Sequence, residues 1–497
     1  MNSHGGVAEI AGGANSDVGI MSVQLTVEPT TTTTTTTTTP PKLFRRNSAV
    51  GKALHYWERH GKSTIVQAVL ELEGDGLSFQ AIRDLVDERL LKRFPKFRGY
   101  VSDNLRHWMI PESVDPSRYV SDVTLEGSDH RAALLQLLSE EYKKPLPAQC
   151  MWEVKRVSCA GRVSLLFRFA HTLADGITMM QILQHVLPDA SDSPSSITTR
   201  PPRSGLAASC CMCAWAFLRE LCLLLVFALS CCASDRETSL RLGPSAWKRR
   251  KEEDGHVAVI SQPVSVAALK AASRKHNGTV NDVMMAALAA GVNAHLAAEQ
   301  NGKKADWLQH LTLTAVMLAS PRREGFVLGA EKATKLLDAY AAMKTPGCDL
   351  VPCIVPLPCG GALTPDERLA AVLRTTRSLK ISGLIPFLQF VIKVVVMLLP
   401  MGFNTALFEA LLFSKTTMYV SPVVGPEQKA TIGGVDIDLL YAGVAPLDFG
   451  TGWTFFTYNG NVNVICIADK ATVSDPQGLV DHVHKALVEY CAGQEAA

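Results

Sequence analysis

The pattern of apolar and polar positions between residues 54 and 187 alternates short strands with helices. Apolar runs of strand length occupy Ser63–Leu72 and Arg162–Phe169. Apolar side chains recur at helical spacing in Phe79–Leu91 and in Ile177–Leu187, which predicts amphipathic helices. Strands that alternate with helices along one chain indicate an α/β fold.

A second unit with the same character is predicted from about residue 256 onward. A helix is expected at Val264–Lys275, and the pair Asn281-Asp282 has the composition of a helix start. Asn459-Gly460 stands between two alternating runs, which is the strongest local signal for a β-hairpin. A helix at Pro476–Tyr490 ends the pattern, so we expect two α/β units joined by a linker.

Residues 1–46 have no such periodicity and include the uninterrupted threonine run Thr30–Thr39. A segment of this composition cannot bury apolar surface, so we expect a disordered tail. No basic residue precedes Lys42, whereas a secretory signal has a basic start followed by an apolar run. The sequence therefore predicts no cleavable signal peptide.

Two long apolar stretches interrupt the α/β pattern. Leu206–Ala233 lies within the linker 189–255 and is broken at its middle by Arg219-Glu220, and Leu384–Leu399 contains Lys393. A spanning helix needs about 20 apolar residues, and a charge at the bilayer centre is costly. We interpret both stretches as contacts with one membrane surface. For Leu206–Ala233, a buried helical hairpin and a true span remain alternatives.

Composition removes several classes of function. The chain has 49 basic and 47 acidic residues and a net charge of +2, so no field of one sign favours nucleic acid as a partner. Of the thirteen cysteines only Cys210 and Cys213 are spaced as CxxC, and no histidine lies near them, which argues against a zinc site and for reduced thiols. The absence of GxGxxG, Walker and GxSxG motifs argues against a nucleotide cofactor and serine-hydrolase chemistry.

The segment with the most chemical content is Ala170–Gly176 (AHTLADG), which follows the strand Arg162–Phe169. A histidine fixed at the end of a strand can present one ring nitrogen to a substrate as a general base, which makes His171 the candidate. Asp175 is well placed to cap the helix that follows. HxxxDG fixes only three positions, so a core histidine followed by a helix cap is the alternative interpretation.

Five segments resemble, in the same order, the wax ester synthase/diacylglycerol acyltransferase family of the chloramphenicol-acetyltransferase-like superfamily. Two positions depart from the family pattern: Ala170 replaces the first histidine of HHxxxDG, and Pro422 replaces a usual asparagine. The segments are Pro145-Leu146 with Trp152-Glu153, Ala170–Gly176, Thr279–Val283, Tyr419–Pro426, and the hairpin Thr457–Val464 with Asp475-Pro476.

The resemblance implies two chloramphenicol-acetyltransferase-like, CoA-dependent acyltransferase domains, residues 47–188 and 256–497, with a channel between them. His171 would be the general base at the centre of the channel, and Asp175 would orient the site. The remaining residues carried over as supporting the site are Gly176, Asn281 and Asp282, although helix capping would explain Asn281 and Asp282 equally well.

The implied reaction moves a fatty acyl group from acyl-CoA to the hydroxyl of diacylglycerol or of a long-chain alcohol. It implies no metal and no cofactor beyond this co-substrate, a membrane or lipid-droplet surface as partner, and the cytosolic face of the endoplasmic reticulum or lipid droplets as location. Asp448–Trp453 (DFGTGW) resembles the DFGWG signature of plant BAHD alcohol acyltransferases, so a smaller alcohol is an alternative acceptor. A non-catalytic lipid-binding protein on the same fold is the other alternative.

Overall fold

A computed structural model describes the chain at residues 42–187, 189, 235–236, 238–241, 255–300, 305–319, 330–344, 348, 350–381, 384–413 and 416–492. Three of the expectations concern residues outside this set. The tail before residue 42, almost all of the linker and the apolar stretch Leu206–Ala233 lie outside the described residues.

The part of the chain before residue 188 contains every predicted strand and helix of that region, with ends shifted by a few residues. In chain order the elements are β1 (Lys42–Arg46), α1 (Ala49–Arg59), β2 (Ile65–Leu72), α2 (Phe79–Val86, continued by a π-helical turn at Asp87–Leu91), α3 (Pro95–Arg98), β3 (Tyr100–Val101), β4 (His107–Ile110), a 3-10 turn (Pro116–Arg118), β5 (Val120–Thr124), α4 (His130–Glu141), β6 (Trp152–Cys159), β7 (Arg162–Ala170) and α5 (Gly176–His185).

The part after residue 255 also follows the predicted order and includes the hairpin at Asn459-Gly460. Its elements are β8 (His256–Ile260), β9 (Val264–Ser265), α6 (Val266–Lys275), α7 (Val280–Glu299), α8 (Asp306–Gln309), β10 (Thr312–Ala319), α9 (Ala330–Ala341), β11 (Val351–Pro358), α10 (Pro365–Ile381), α11 (Leu384–Leu398), α12 (Met401–Phe408, continued by a π-helical turn at Glu409–Phe413), β12 (Met418–Val424), β13 (Thr431–Ile432), β14 (Val435–Val444), β15 (Thr451–Tyr458), β16 (Asn461–Asp469) and α13 (Pro476–Ala492).

These elements form two large sheets, each covered by helices, and one small sheet. The N-terminal sheet has the order β13-β14-β2-β7-β6-β5, and the C-terminal sheet has the order β11-β10-β12-β15-β16-β8, with β9 paired to β16. The small sheet has the order β1-β4-β3. There are two large apolar cores. One lies within the C-terminal part, and the other joins the N-terminal sheet to residues of the C-terminal sheet such as Phe456 and Ile467, so the two layers share buried surface.

The structure corrects two predicted boundaries. Lys42–Arg46 is not part of a disordered tail, because it pairs as β1 with β4 through backbone hydrogen bonds. The division at residue 256 does not separate the two sheets, because β14 pairs with β2 from Ile437–Leu72 to Val444–Val66. This strand covers the edge of β2 that would otherwise carry unpaired backbone groups.

A buried ion network fixes the strand that leads to the HxxxDG segment. Arg168 on β7 is 1% exposed, contacts the carboxylate of Glu153, and lies 3.0 Å from the carboxylate of Glu141. Burial alone would raise the pKa of the Glu141 carboxyl, but hydrogen bonds from Lys144 and Lys155 hold that pKa below its ordinary value. The Glu141 carboxyl is therefore ionised at neutral pH.

Removing the central cation should destabilise the protein strongly. We expect Arg168→Leu to lower the free energy of unfolding by about 3–5 kcal/mol, because two buried carboxylates lose their partner. Arg162→Leu is the matched control on the same strand, since its ion pair with Asp438 is partly exposed and should contribute about 1 kcal/mol or less. Urea unfolding measures both, and equal losses would contradict the role given to Arg168.

Candidate active site

His171 follows β7 directly and lies on the turn that leads into α5. The end of β7 is held on both sides, because Ala170 pairs with Ile65 of β2 and Phe169 pairs with Trp152 of β6. The position of His171 is therefore set by the interior of a sheet, as predicted for a base that must present its ring in one orientation.

The His171 side chain lines an apolar cavity of about 140 Å³ that is built by both parts of the chain. Trp57 on α1 belongs to the N-terminal part, whereas Tyr419 on β12 and Phe449 belong to the C-terminal part. The wall also includes Ile392 and Val396 of α11. A long apolar substituent would be desolvated in this cavity.

A polar cleft of about 790 Å³ lies on the other side of the same strand end and is lined by Ala170. Ala445 and Leu447 line both the cleft and the apolar cavity. The cleft carries basic side chains at Arg59, Lys62, Lys143 and Lys144 and acidic ones at Glu58, Asp448 and Asp469. His171 itself lines only the apolar cavity, and its neighbour Ala170 lines the cleft, so the two compartments adjoin at this end of β7.

Burial lowers the pKa of the His171 imidazole below its ordinary value of 6.5. Backbone groups of His171 itself and of Ala174, together with the charges of Asp175 and Glu58, oppose this effect without reversing it. The imidazole is therefore neutral at physiological pH, the form that can accept a proton. Its Nδ1 atom lies 3.7 Å from the Sγ atom of Cys348.

Asp175 caps α5, as predicted. Its Oδ1 atom accepts a hydrogen bond of 2.8 Å from the backbone N–H of Thr178, and the residue is fully buried. Gly176 is the first residue of the helix. The HxxxDG turn is therefore held at its start by β7 and at its end by the Asp175 cap of α5.

The middle of the turn is fixed by two residues that the sequence analysis missed. The carbonyl oxygen of Leu173 accepts hydrogen bonds of 2.8 Å from Nζ of Lys96 and from the hydroxyl of Tyr340. Lys96 is only 4% exposed, and its Nζ atom lies 4.4 Å from the centroid of the Trp108 ring, within reach of a cation–π interaction. Tyr340 belongs to α9, so the C-terminal part supports the turn directly.

Cys348 is the third residue that the sequence analysis missed. Its carbonyl oxygen accepts a hydrogen bond of 2.7 Å from Oγ of Ser48, and Ser48 caps α1 by accepting from Gly51. These contacts place Cys348, from the C-terminal part, beside the His171 ring. No local motif marks Cys348, Lys96 or Tyr340, because each acts through a contact far away in the sequence.

Asn281 and Asp282 are not brought to the site. Asp282 forms a capping box with Thr279 at the start of α7, and its Oδ1 atom accepts a 2.7 Å hydrogen bond from Thr376. Asn281 is exposed, and neither residue lines the two cavities around the HxxxDG turn. Of the two interpretations given for this pair, the structure supports helix capping for Asp282.

Parts of the other motif segments line the two cavities, and the rest make packing contacts away from them. The Trp152 ring stacks on Tyr119 at 4.7 Å between centroids, and its indole N–H donates to the Phe97 carbonyl. Within the DFGTGW segment, Phe449 lines the apolar cavity. A Cβ atom at Gly425 would lie 2.2 Å from the carbonyl oxygen of Thr457, so only glycine allows that approach.

Among the residues that the structure describes, no group of three or more His, Cys, Asp or Glu side chains is placed to hold a metal ion. The chemistry that the site can perform with its own groups is proton transfer at His171. An apolar substrate would fit the cavity that His171 lines, and a polar one would fit the adjoining cleft.

A sequence model described as the WS/DGAT C-terminal domain matches residues 350–490. The C-terminal part of the chain therefore matches the wax ester synthase/diacylglycerol acyltransferase family. The resemblance carried by the motifs is thereby confirmed, and with it the assignment to acyltransferases. No curated protein sequence matches the chain.

Solved structures confirm the fold of two chloramphenicol-acetyltransferase-like domains. The wax ester synthase/diacylglycerol acyltransferase from Marinobacter aquaeolei is 16% identical with a TM-score of 0.57, over 91% of this chain and 100% of that one. A trichothecene 15-O-acetyltransferase from Fusarium sporotrichioides is 12% identical with a TM-score of 0.57, over 92% and 100%. The first condensation domain of the calcium-dependent antibiotic synthetase is 12% identical with a TM-score of 0.55, over 92% and 98%.

Asp175→Asn separates the capping role of Asp175 from its charge. The amide can still cap α5, but the negative charge beside His171 is lost. We expect lower activity together with a lower midpoint of thermal unfolding, by roughly 2–4 °C for each kcal/mol of stability lost. Asp129→Asn is the control, because Asp129 caps α4 in an exposed position and should leave activity unchanged. A collapse of activity at unchanged stability would instead assign Asp175 to proton transfer.

Proposed function

We propose that this acyltransferase moves a fatty acyl group from acyl-CoA to the hydroxyl of diacylglycerol or of a long-chain alcohol, forming triacylglycerol or a wax ester. The observation that carries the proposal is a neutral, partly buried His171 that lines an apolar cavity next to a polar cleft. The match of residues 350–490 to the WS/DGAT C-terminal domain supports the reaction class.

His171 acts as the general base in this mechanism. The imidazole accepts the proton of the acceptor hydroxyl while the hydroxyl oxygen attacks the thioester carbonyl carbon. The resulting tetrahedral oxyanion collapses and expels the CoA thiolate, which takes the proton back from the imidazolium. The step needs no acyl-enzyme, and the base is regenerated in each cycle.

The two compartments suit the two substrates. The wall of the polar cleft carries Arg59, Lys62, Lys143 and Lys144, and lysine and arginine side chains bind phosphate groups such as those of CoA. The apolar cavity suits a fatty chain, whose burial contributes about 0.8 kcal/mol per CH₂. Acyl-CoA and acceptor therefore approach His171 from opposite sides.

A BAHD-like transfer to a smaller alcohol is the second candidate. It is favoured by the DFGTGW segment, whose Phe449 lines the apolar cavity, and by the similarity in fold to a trichothecene O-acetyltransferase. A catalytically inactive lipid-binding protein is the third. The accumulated product separates the three candidates.

We also propose a membrane-associated location, at the cytosolic face of the endoplasmic reticulum or on lipid droplets. None of the helices that the structure describes is long and apolar enough to cross a bilayer. The proposal is supported by the water-insoluble acceptors of the proposed reaction and by the apolar stretch Leu384–Leu399. Fractionation of expressing cells should place the chain in the membrane or lipid-droplet fraction, and a chain found only in the soluble fraction would contradict it.

Expression in a host without neutral lipids tests the reaction. The wild-type chain should cause triacylglycerol to accumulate, or wax ester when a long-chain alcohol is supplied, and CoA release should follow the same acceptor. His171→Ala should lower turnover by about 10²–10⁴-fold, the usual contribution of a general base. His276→Ala is the control, because His276 lies at the end of α6. A folded His171→Ala variant with wild-type turnover would overturn the mechanism.

The pH dependence of the reaction follows from the environment of His171. Because burial lowers its imidazole pKa, the basic form persists to lower pH than for an exposed histidine. We expect kcat/KM to be constant around neutral pH and to fall only as the pH drops through a value below 6.5. An acid limb centred above 6.5 would contradict a neutral, desolvated base.

A further inference from the structure

Large apolar side chains are exposed together on the outer side of α11 and at the start of α12. Single exposed apolar residues are common on soluble proteins, whereas a cluster marks an interaction surface. Among the described residues the only other large apolar side chains of this exposure are Leu318 and Val488. The cluster, called here the docking face, consists of Phe390, Met397, Leu398, Leu399 and Phe403, exposed by 37% to 75%.

The inner side of α11 is apolar as well. Leu388 packs in a cluster with Val351 and Cys353 of β11, and Ile392 and Val396 line the apolar cavity of the site. A helix that is apolar on all sides is stable only when protein or lipid covers both faces. The exposed fractions show that the described part of the protein covers only the inner one.

The length of α11 limits whether the helix can span a bilayer or only lie on its surface. Its 15 residues span about 22 Å, short of the hydrocarbon core. The helix is flanked by Pro386 near its start and Pro400 after its end, and it carries Lys393. These features fit a helix that lies in the plane of the membrane surface.

A basic pocket of about 490 Å³ adjoins the docking face. No aspartate or glutamate lines it, and Met397 and Leu399 of the docking face are part of its wall. Its basic residues come from four separate segments that meet here: Arg46, Lys52, Arg106, His107 and Lys393.

The charges in this pocket repel one another. Burial lowers the pKa of the Lys52 ammonium group, and the charges of Arg106 and Arg46 lower it further. An anion bound between these groups would remove the repulsion, and a phosphate is the anion that such a cluster fits. The docking face and the basic pocket together complement a surface that is both apolar and anionic.

We propose that the docking face and the basic pocket bind the surface of an anionic phospholipid bilayer. The apolar side chains enter the acyl region, and the pocket takes a headgroup phosphate. Ala49 and Val396 line both the basic pocket and the apolar cavity, so this wall lies between the bilayer and His171. That a lipid acceptor enters along this wall rests on the proposed function, whereas the binding itself does not.

Flotation of the full chain with vesicles tests the binding without any turnover. Vesicles of phosphatidylcholine alone are compared with vesicles of equal parts phosphatidylcholine and phosphatidylserine. We expect stronger binding to the anionic vesicles, weakened by salt. The double variant Lys52→Gln, Arg106→Gln should lower that affinity roughly 30-fold, taking about 1 kcal/mol for each charge near the surface. Lys335→Gln is the matched control, since Lys335 is exposed on α9.

A second pair of substitutions tests the apolar side chains of the docking face. Met397→Ser with Phe403→Ser should lower binding to both kinds of vesicle by at least about tenfold, whereas Val488→Ser should change neither. Neither pair of variants touches the lining of the apolar cavity. Transfer to a short, water-soluble alcohol should therefore remain, while transfer to an acceptor embedded in vesicles should fall.

Three results would overturn the proposal. Wild-type binding by both double variants would show that another part of the chain, such as Leu206–Ala233, meets the membrane. Inorganic phosphate that abolishes binding at low concentration would make the pocket a site for a free anion. A dimer lost in Met397→Ser with Phe403→Ser would make the face a contact between copies. If the wild-type chain transfers no acyl group yet binds anionic vesicles through these residues, the proposed function fails and this proposal stands.

Discussion

The pairing of β14 with β2 is the constraint on which the rest of the structure depends. β2 is antiparallel to both β7 and β14, so β7 and β14 run in the same direction and end at the same edge of the sheet. Ala170 lies opposite Ile65, and Val444 lies opposite Val66. The chain after β7 provides His171, and the chain after β14 provides part of the cavity wall. A strand from the C-terminal part thereby places that wall beside His171.

The chemistry depends on a balance between burial and proton affinity. Burial lowers the pKa of His171, which keeps the imidazole neutral but also makes it a weaker base. Deeper burial would cost proton affinity, and a fully solvated ring would let water compete with any group that reacts beside it. The half-buried position on the wall of the apolar cavity lies between these extremes, and the Lys96 and Tyr340 hydrogen bonds to Leu173 keep the turn in that position.

What the sequence predicts correctly here is local. The strand before His171, the cap at Asp175 and the hairpin at Asn459-Gly460 follow from periodicity and from turn residues within a few positions. The pairing of β14 with β2, the buried Lys96 and the contact of Cys348 with His171 depend on partners tens to hundreds of residues away, which no local pattern encodes. Asp282 is the opposite case. The resemblance to the family marked it as a residue that supports the site, whereas its contacts in the structure are those of a helix cap.

The apolar stretch Leu384–Leu399 shows why one pattern can have two causes. An amphipathic helix has a single stripe of apolar residues, because only one of its sides packs against protein. In α11 the inner positions Leu388, Ile392 and Val396 meet β11 and the cavity, while the outer positions Phe390 and Met397 meet neither. In the sequence the two apolar sides form one continuous run. The length of that run therefore does not show whether the helix spans a membrane. Only the fold separates the side of α11 that lines the cavity beside His171 from the side that is left exposed.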